Sequence, residues 1–171
     1  VLEGLSIPTS RRQAVTGGSV SVGLTRNAKR AYKSTFAGDK KVTRALADIV
    51  ASLRLAPDFE WTSGQISKDS IATKHTDSNN VGSSLIISTG EYTEGEFITS
   101  DEKRYDIRGS AMLIDGSQVH SSAPLSGRRW SVVLFMHSPF HTLSVSLQKQ
   151  LFELLPHLAP LRPQDSATPI T

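Results

Sequence analysis

Hydrophobic positions along the chain change their period near residue 60. Between Asp39 and Leu55 the apolar residues Val42, Ala45, Leu46, Ile49, Val50 and Leu53 recur at i, i+3, i+4 and i+7. That spacing predicts an amphipathic helix, ended ahead of Pro57, whose stripe packs into a core. Upstream, Val20 to Leu24 alternates as a first strand. From Trp61 onward the texture is of short strands: Trp61–Ile66, Ser83–Ser88, Glu96–Thr99, Lys103–Ile107, Ala111–Ile114 and Trp130–Phe135. Turn formers separate them, namely Ser78-Asn79-Asn80, Gly90, Glu94-Gly95, Arg108-Gly109, Asp115-Gly116 and Pro124 to Gly127. A second helix is expected from about Thr142 to Leu155, with Leu143, Leu147, Leu151 and Leu154 on one face and Pro156 as its stop. Short strands punctuated this regularly predict a mainly β fold of sandwich or jelly-roll type with flanking helices.

The 171 residues suit one domain with short flanks. We expect a poorly ordered basic lead-in over residues 1–19, the domain over 20–155, and a tail over 156–171 that holds four of the eight prolines. The chain opens on Val1 and is read as a domain cut from something longer. Composition narrows the classes. Cysteine is absent, which excludes a disulfide scaffold and any zinc or iron–sulfur site built on thiolates, and fits a reducing compartment. No run approaches the roughly 18 apolar residues of a helical membrane span. Localisation is otherwise unassigned.

Charge is unevenly spread. Residues 1–44 carry Arg11, Arg12, Arg26, Lys29, Arg30, Lys33, Lys40, Lys41 and Arg44 against Glu3 and Asp39, a net of +7, while the remainder carries −4. A basic segment of this kind is either a phosphate-binding surface, which makes DNA a candidate partner, or a solvated arm.

Candidate chemistry lies in the strand-rich half. His75 and Asp77, at i and i+2, would project to one side of a strand, so an imidazole and a carboxylate converge. His120 lies 43 residues on, past three short strands, a separation that can bring the chain back beside the first pair. Two imidazoles and a carboxylate form the facial set that holds non-haem Fe(II) while leaving positions open. Arg129 adds the means to grip the far carboxylate of a chelating dicarboxylate, because its planar fork donates two parallel hydrogen bonds. Alternation puts Arg129, Ser131, Val133 and Phe135 on one face and Arg128, Trp130, Val132 and Leu134 on the other. Ser131 would add a hydroxyl to the same grip.

The ordered set His75-x-Asp77, His120 and Arg129-x-Ser131 resembles the 2-oxoglutarate/Fe(II) dioxygenase superfamily over about residues 60–138. The resemblance implies a double-stranded β-helix, with His75, Asp77 and His120 as Fe(II) ligands at the catalytic centre and Arg129 and Ser131 holding 2-oxoglutarate. O2 would be the oxidant. The run Lys74 to Ser84, Gly95-Glu96-Phe97, Asp115-Gly116 and the Pro124–Arg129 segment look like a protist and algal branch related to the TET/JBP group. That group oxidises the methyl of 5-methylcytosine or thymine in nucleic acid. The chain is shorter than animal TET catalytic domains and lacks their cysteine-rich part.

Other assignments compete. The ligand set also suits a catalytic zinc hydrolase, which would leave Arg129 unexplained and needs a general base. A protein side-chain hydroxylase of prolyl type fits the same pattern, as does a variant using ascorbate as co-substrate; a binding module without turnover would be expected to have lost a ligand. Asn80 and Tyr92 are candidate substrate contacts. Phe97 and Trp130 join Tyr92 as candidates to stack a flipped base, each also explicable as packing. His137 and His141 are expected to be structural, and the acidic stretch Glu91, Glu94, Glu96, Asp101 and Glu102 to be a solvated hairpin.

Overall fold

The computed structural model describes residues 2, 7, 15–26, 32–34, 40–53, 59–137 and 143–155. Nine strands and two helices are formed among them: β1 (Gly18–Arg26), β2 (Tyr32–Ser34), α1 (Lys40–Ser52), β3 (Ser63–Lys68), β4 (Asn80–Glu94), β5 (Phe97–Ile98), β6 (Arg104–Tyr105), β7 (Ser110–Ile114), β8 (Ser121–Ser122), β9 (Leu125–His137) and α2 (Val145–Leu154). They build a six-stranded sheet ordered β2-β1-β3-β9-β4-β7, faced by a three-stranded sheet ordered β6-β5-β8. All named pairs are antiparallel. This is the expected double-stranded β-helix. No described helix is long and apolar enough to cross a membrane.

The two faces of the large sheet have opposite characters, and strand alternation explains why. One face sends Val22, Leu24, Ile66, Leu85, Trp130, Val132 and Leu134 into the main core. There they meet Val42 and Leu46 of α1, Trp61, and Leu143, Leu151 and Leu155 at α2 and its ends. The helical stripe of α1 is therefore core, although Ile49 is 42% exposed and falls outside it. Ser144 caps α2, its hydroxyl accepting from the Leu147 N–H. The other face looks into the barrel, where Phe97, Ile107 and Ile114 form a second, smaller core.

Strand limits differ from expectation where glycines stay inside strands instead of ending them. β4 runs on through Gly90 (φ +127°), and β9 starts at Leu125 and passes through Gly127 (φ +112°). A Cβ would lie 2.2 Å from the Arg128 carbonyl oxygen at Gly90 and 2.4 Å from that of Glu91 at Gly127. Both strands therefore need glycine at their closest approach. β2 and β8 are too short to leave a periodic signal. Ordered chain also begins earlier than residue 20, since β1 starts at Gly18 and Val15 bridges Ala72. Most of the lead-in, the tail, His141, and Arg11, Arg12, Lys29 and Arg30 lie outside the described residues.

Candidate metal centre and its cavity

His75 and His120, far apart in sequence, are joined by an isolated antiparallel bridge. Each backbone N–H donates to the other's carbonyl at 3.0 Å, which holds the ring centroids 4.4 Å apart. Asp77 is fixed beside them because its N–H donates to the Gly116 carbonyl (2.7 Å). The Asp115-Gly116 turn is itself held by Asp115 Oδ1, which accepts from the Ser117 N–H and hydroxyl and keeps the Asp115 carboxyl below its ordinary pKa. His75 and Asp77 thus lie on a bridge and loop, where the sequence pattern implied a strand, yet still converge. Asp77 Oδ1 is 3.8 Å from His75 Nε2 and Oδ2 is 3.9 Å from His120 Nε2.

The imidazole tautomers follow from the backbone. Nδ1 of His75 sits 2.7 Å from the Thr73 carbonyl and Nδ1 of His120 sits 2.8 Å from that of Gln118. A carbonyl only accepts, so the proton resides on Nδ1 and the neutral ring presents the Nε2 lone pair toward Asp77. Ligand atoms from the three residues lie within 4.8 Å of one another. Two oriented imidazoles and one carboxylate, none of them thiolate, suit a divalent ion such as Fe(II). Phe97 stacks on the His120 ring at 5.5 Å and shields its outer side.

A cavity of about 410 Å³ runs from this cluster along β9. Arg129, Ser131, Val133, Phe135 and His137 all line it, while Trp130, Val132 and Leu134 lie in the core behind. The expected alternation is observed. Gln65 and Ser67 of β3, register partners of Val133 and Ser131, join the lining.

At one end Arg129 is 5% exposed, and burial pushes its pKa down while the Tyr92 phenol and the Asp69 carboxylate oppose that shift. Its Nη1 donates to the Gly95 carbonyl (2.6 Å) and its Nη2 to that of Ser70, and its Nε–H is buried with no partner among the described residues. A buried guanidinium with an unmet donor beside a cavity fits an anionic ligand group, since an unfilled donor there is costly.

The remaining candidates divide. Asn80 lines the cavity and donates from Nδ2 to Ser84 Oγ (3.1 Å), spanning an irregularity in β4 between Val81 and Leu85. Phe97 also lines it. Tyr92 does not: it is buried, its hydroxyl is 2.8 Å from Ser88 Oγ, and its ring packs against the Arg129 guanidinium. Trp130 is on the core face beneath Lys68, so it cannot stack a ligand in the cavity. His137, expected to be structural, is buried and also lines the cavity, as does Phe135. Carrying the Arg129 alternation two residues past Phe135 would have found it. In the acidic stretch, Asp101 pairs with Lys103 and Glu102 with Lys74 at exposed positions.

No protein-family model and no curated protein matches the chain. Solved structures do match. NgTET1 in complex with 5mC DNA aligns with a TM-score of 0.52 and 14% identity, covering 74% of this chain and 62% of that one. That likeness shows a fold shared with NgTET1. The chain thus spans less than two thirds of NgTET1. A 2OG-Fe(II) oxygenase-family oxidoreductase from Burkholderia pseudomallei aligns at TM-score 0.47 and 17% identity over 76% of this chain and 71% of its own. A prolyl-4-hydroxylase from Pseudomonas putida aligns at 0.43 and 8% identity over 77% of each chain.

Proposed function

We propose that this protein is an Fe(II)- and 2-oxoglutarate-dependent dioxygenase that hydroxylates the methyl of 5-methylcytosine or thymine in DNA. The observation that carries the oxygenase reading is the single cavity that joins the His75–Asp77–His120 cluster to a buried arginine with an unmet donor. With iron bound, one O2 would be split between substrate C–H, which becomes C–OH, and 2-oxoglutarate, which becomes succinate and CO2. The chain's residues do the rest. The Thr73 and Gln118 carbonyls keep both imidazoles in the ligating tautomer. Arg129, with Ser131 on the same face, receives the far carboxylate of the co-substrate, and the keto-acid end then reaches toward the ligands.

Two features support a nucleobase substrate. The cavity continues past Phe135 to His137, Asn79 and Asn80, with His137 in register opposite Asn80. That end offers a flat ring and neutral hydrogen-bonding groups, and its described lining carries no formal charge beyond the Asp77 ligand, which suits an uncharged planar heterocycle. The β1–β2 pair, bearing Arg26 and Lys33, extends from the same end of the sheet, because Gly23 is in register with Ser63 and Ser63 with Phe135. A basic N-terminal segment in the sequence suits the phosphates flanking an extruded base.

The test has two stages. Anaerobic addition of Fe(II) and then 2-oxoglutarate should produce the visible charge-transfer band of the chelate, lost in His120→Ala and requiring far more co-substrate in Arg129→Ala. Oligonucleotides with and without 5-methylcytosine are then incubated in air and their nucleosides weighed by mass spectrometry. Hydroxymethylated product, with DNA binding that weakens steeply with salt, is expected. A band without any oxidised base, alongside turnover of a prolyl peptide, would replace the substrate assignment; absence of the band would overturn the oxygenase reading.

A further inference from the structure

Arg129 is held by an arrangement distinct from the His75–Asp77–His120 cluster, in which Gly95 and Ser70 line the cavity and Tyr92, Arg108 and Asp69 do not. Gly95 has φ +77°, and a Cβ built there would lie 2.9 Å from Arg129 Nη1 and 3.0 Å from Leu125 Cβ. Only a residue without a side chain lets the guanidinium reach the Gly95 carbonyl that accepts from it. The Tyr92 ring, which is not part of the cavity lining, has its centroid 5.6 Å from the Arg129 guanidinium carbon. A second guanidinium, that of Arg108, lies 5.8 Å from the same ring and donates to the Tyr92 carbonyl (2.7 Å), fastening the strand that carries it. The backbone of Arg129 is pinned as well: its N–H donates to Asp69 Oδ1 (2.7 Å) and its carbonyl accepts from the Asp69 N–H (2.8 Å).

We propose that Gly95 and Tyr92 are positioning residues that preset the Arg129 guanidinium for a dicarboxylate, making the protein selective for a keto acid with a far carboxylate. The inference rests on the reading of Arg129 as the 2-oxoglutarate clamp. An unrestrained arginine would have to order several rotatable bonds on binding. Here the carbonyls of Gly95 and Ser70 and the face of Tyr92 have already ordered it, and Nε–H and the remaining Nη hydrogens are left for the ligand. Tyr92 contributes its ring, which the hydroxyl orients through Ser88.

The experiment measures binding to the Fe(II)-loaded full chain without oxygen, for wild type, Gly95→Ala, Tyr92→Leu and Tyr92→Phe. The ligands are 2-oxoglutarate and pyruvate, which has the chelating end and no far carboxylate. Gly95→Ala and Tyr92→Leu should each weaken 2-oxoglutarate binding on the order of tenfold. Tyr92→Phe should stay within about threefold of wild type. Pyruvate and Fe(II) affinities should be unchanged in all three variants, which a loss of general structure would not allow. Wild-type binding of 2-oxoglutarate that both Gly95→Ala and Tyr92→Leu retain overturns the cradle alone, and so does a Tyr92→Phe variant as weak as Tyr92→Leu. A wild type that binds no 2-oxoglutarate overturns the proposed function and the cradle with it. If Gly95→Ala does not fold, the contrast between the two Tyr92 variants decides.

Discussion

The proton on each candidate ligand histidine is placed by a carbonyl two residues earlier, Thr73 for His75 and Gln118 for His120. The same local device, used twice, aims both Nε2 atoms without any second carboxylate. Arg129 depends instead on its fork. Arg129→Lys keeps the charge but loses the paired donors, and it should raise the 2-oxoglutarate dissociation constant by roughly tenfold or more while metal binding is untouched. Calorimetric titration of both ligands checks this; equal affinity for 2-oxoglutarate would show that charge alone suffices. A different residue-scale effect is expected at Asp101, whose pKa is lowered from 3.8 to about 2 by hydrogen bonds from Lys103 and Thr99. A depressed acid stabilises the fold above its unfolded pKa and loses that contribution as pH falls through the folded one. The stability gap between wild type and Asp101→Asn should therefore be constant above about pH 5 and shrink between 3.8 and about 2. Denaturant titrations across that range would show it, and added salt should narrow the gap because the group is fully exposed.

At the level of elements, β9 carries the architecture, since one of its faces is core and the other is cavity. Leu134 is fully buried between sheet and helices, and Leu134→Ala should cost about 2–5 kcal/mol in urea unfolding. Gly90 and Gly127 let β4 and β9 stay paired for their full length despite close backbone contacts. Gly90→Ala should destabilise the fold by about 1–3 kcal/mol or more, through a strained φ and the collision with the Arg128 carbonyl. A neutral substitution would mean that the strand pair relaxes there. The helices were the easiest elements to anticipate, because a 3.6-residue stripe survives in a single sequence. Gly90 misled because glycine marks turns and irregular strand interiors alike. β8 escaped notice because two residues, Ser121 and Ser122, cannot show a period.

Across the whole molecule, the large sheet separates the main core from the cavity: helices cover one face, and the other, with the smaller sheet, encloses the cavity and a second, smaller apolar cluster. The cavity extends along roughly 26 Å of strand from Arg129 to His137, and the proposed function puts the substrate at its His137 end. His137→Ala should leave Fe(II) and 2-oxoglutarate binding intact and lower turnover of methylated DNA at least several-fold. Steady-state kinetics with the oligonucleotide checks this, and unchanged kinetics would remove His137 from the substrate end. The alternating run from Arg129 to Phe135, the helical stripe and the order of His75, Asp77, His120 and Arg129 were all legible in one sequence, because each depends on local period or residue chemistry. Period also determined which arginine faces inward. Tertiary structure alone decided that Tyr92, far from Arg129 in sequence, packs against its guanidinium outside the cavity lining. It also joined His75 to His120 through a bridge between residues 45 apart. Those outcomes depend on which strands become neighbours, and strand pairing is a long-range choice made by the burial of whole faces, with no trace in the spacing of any one segment.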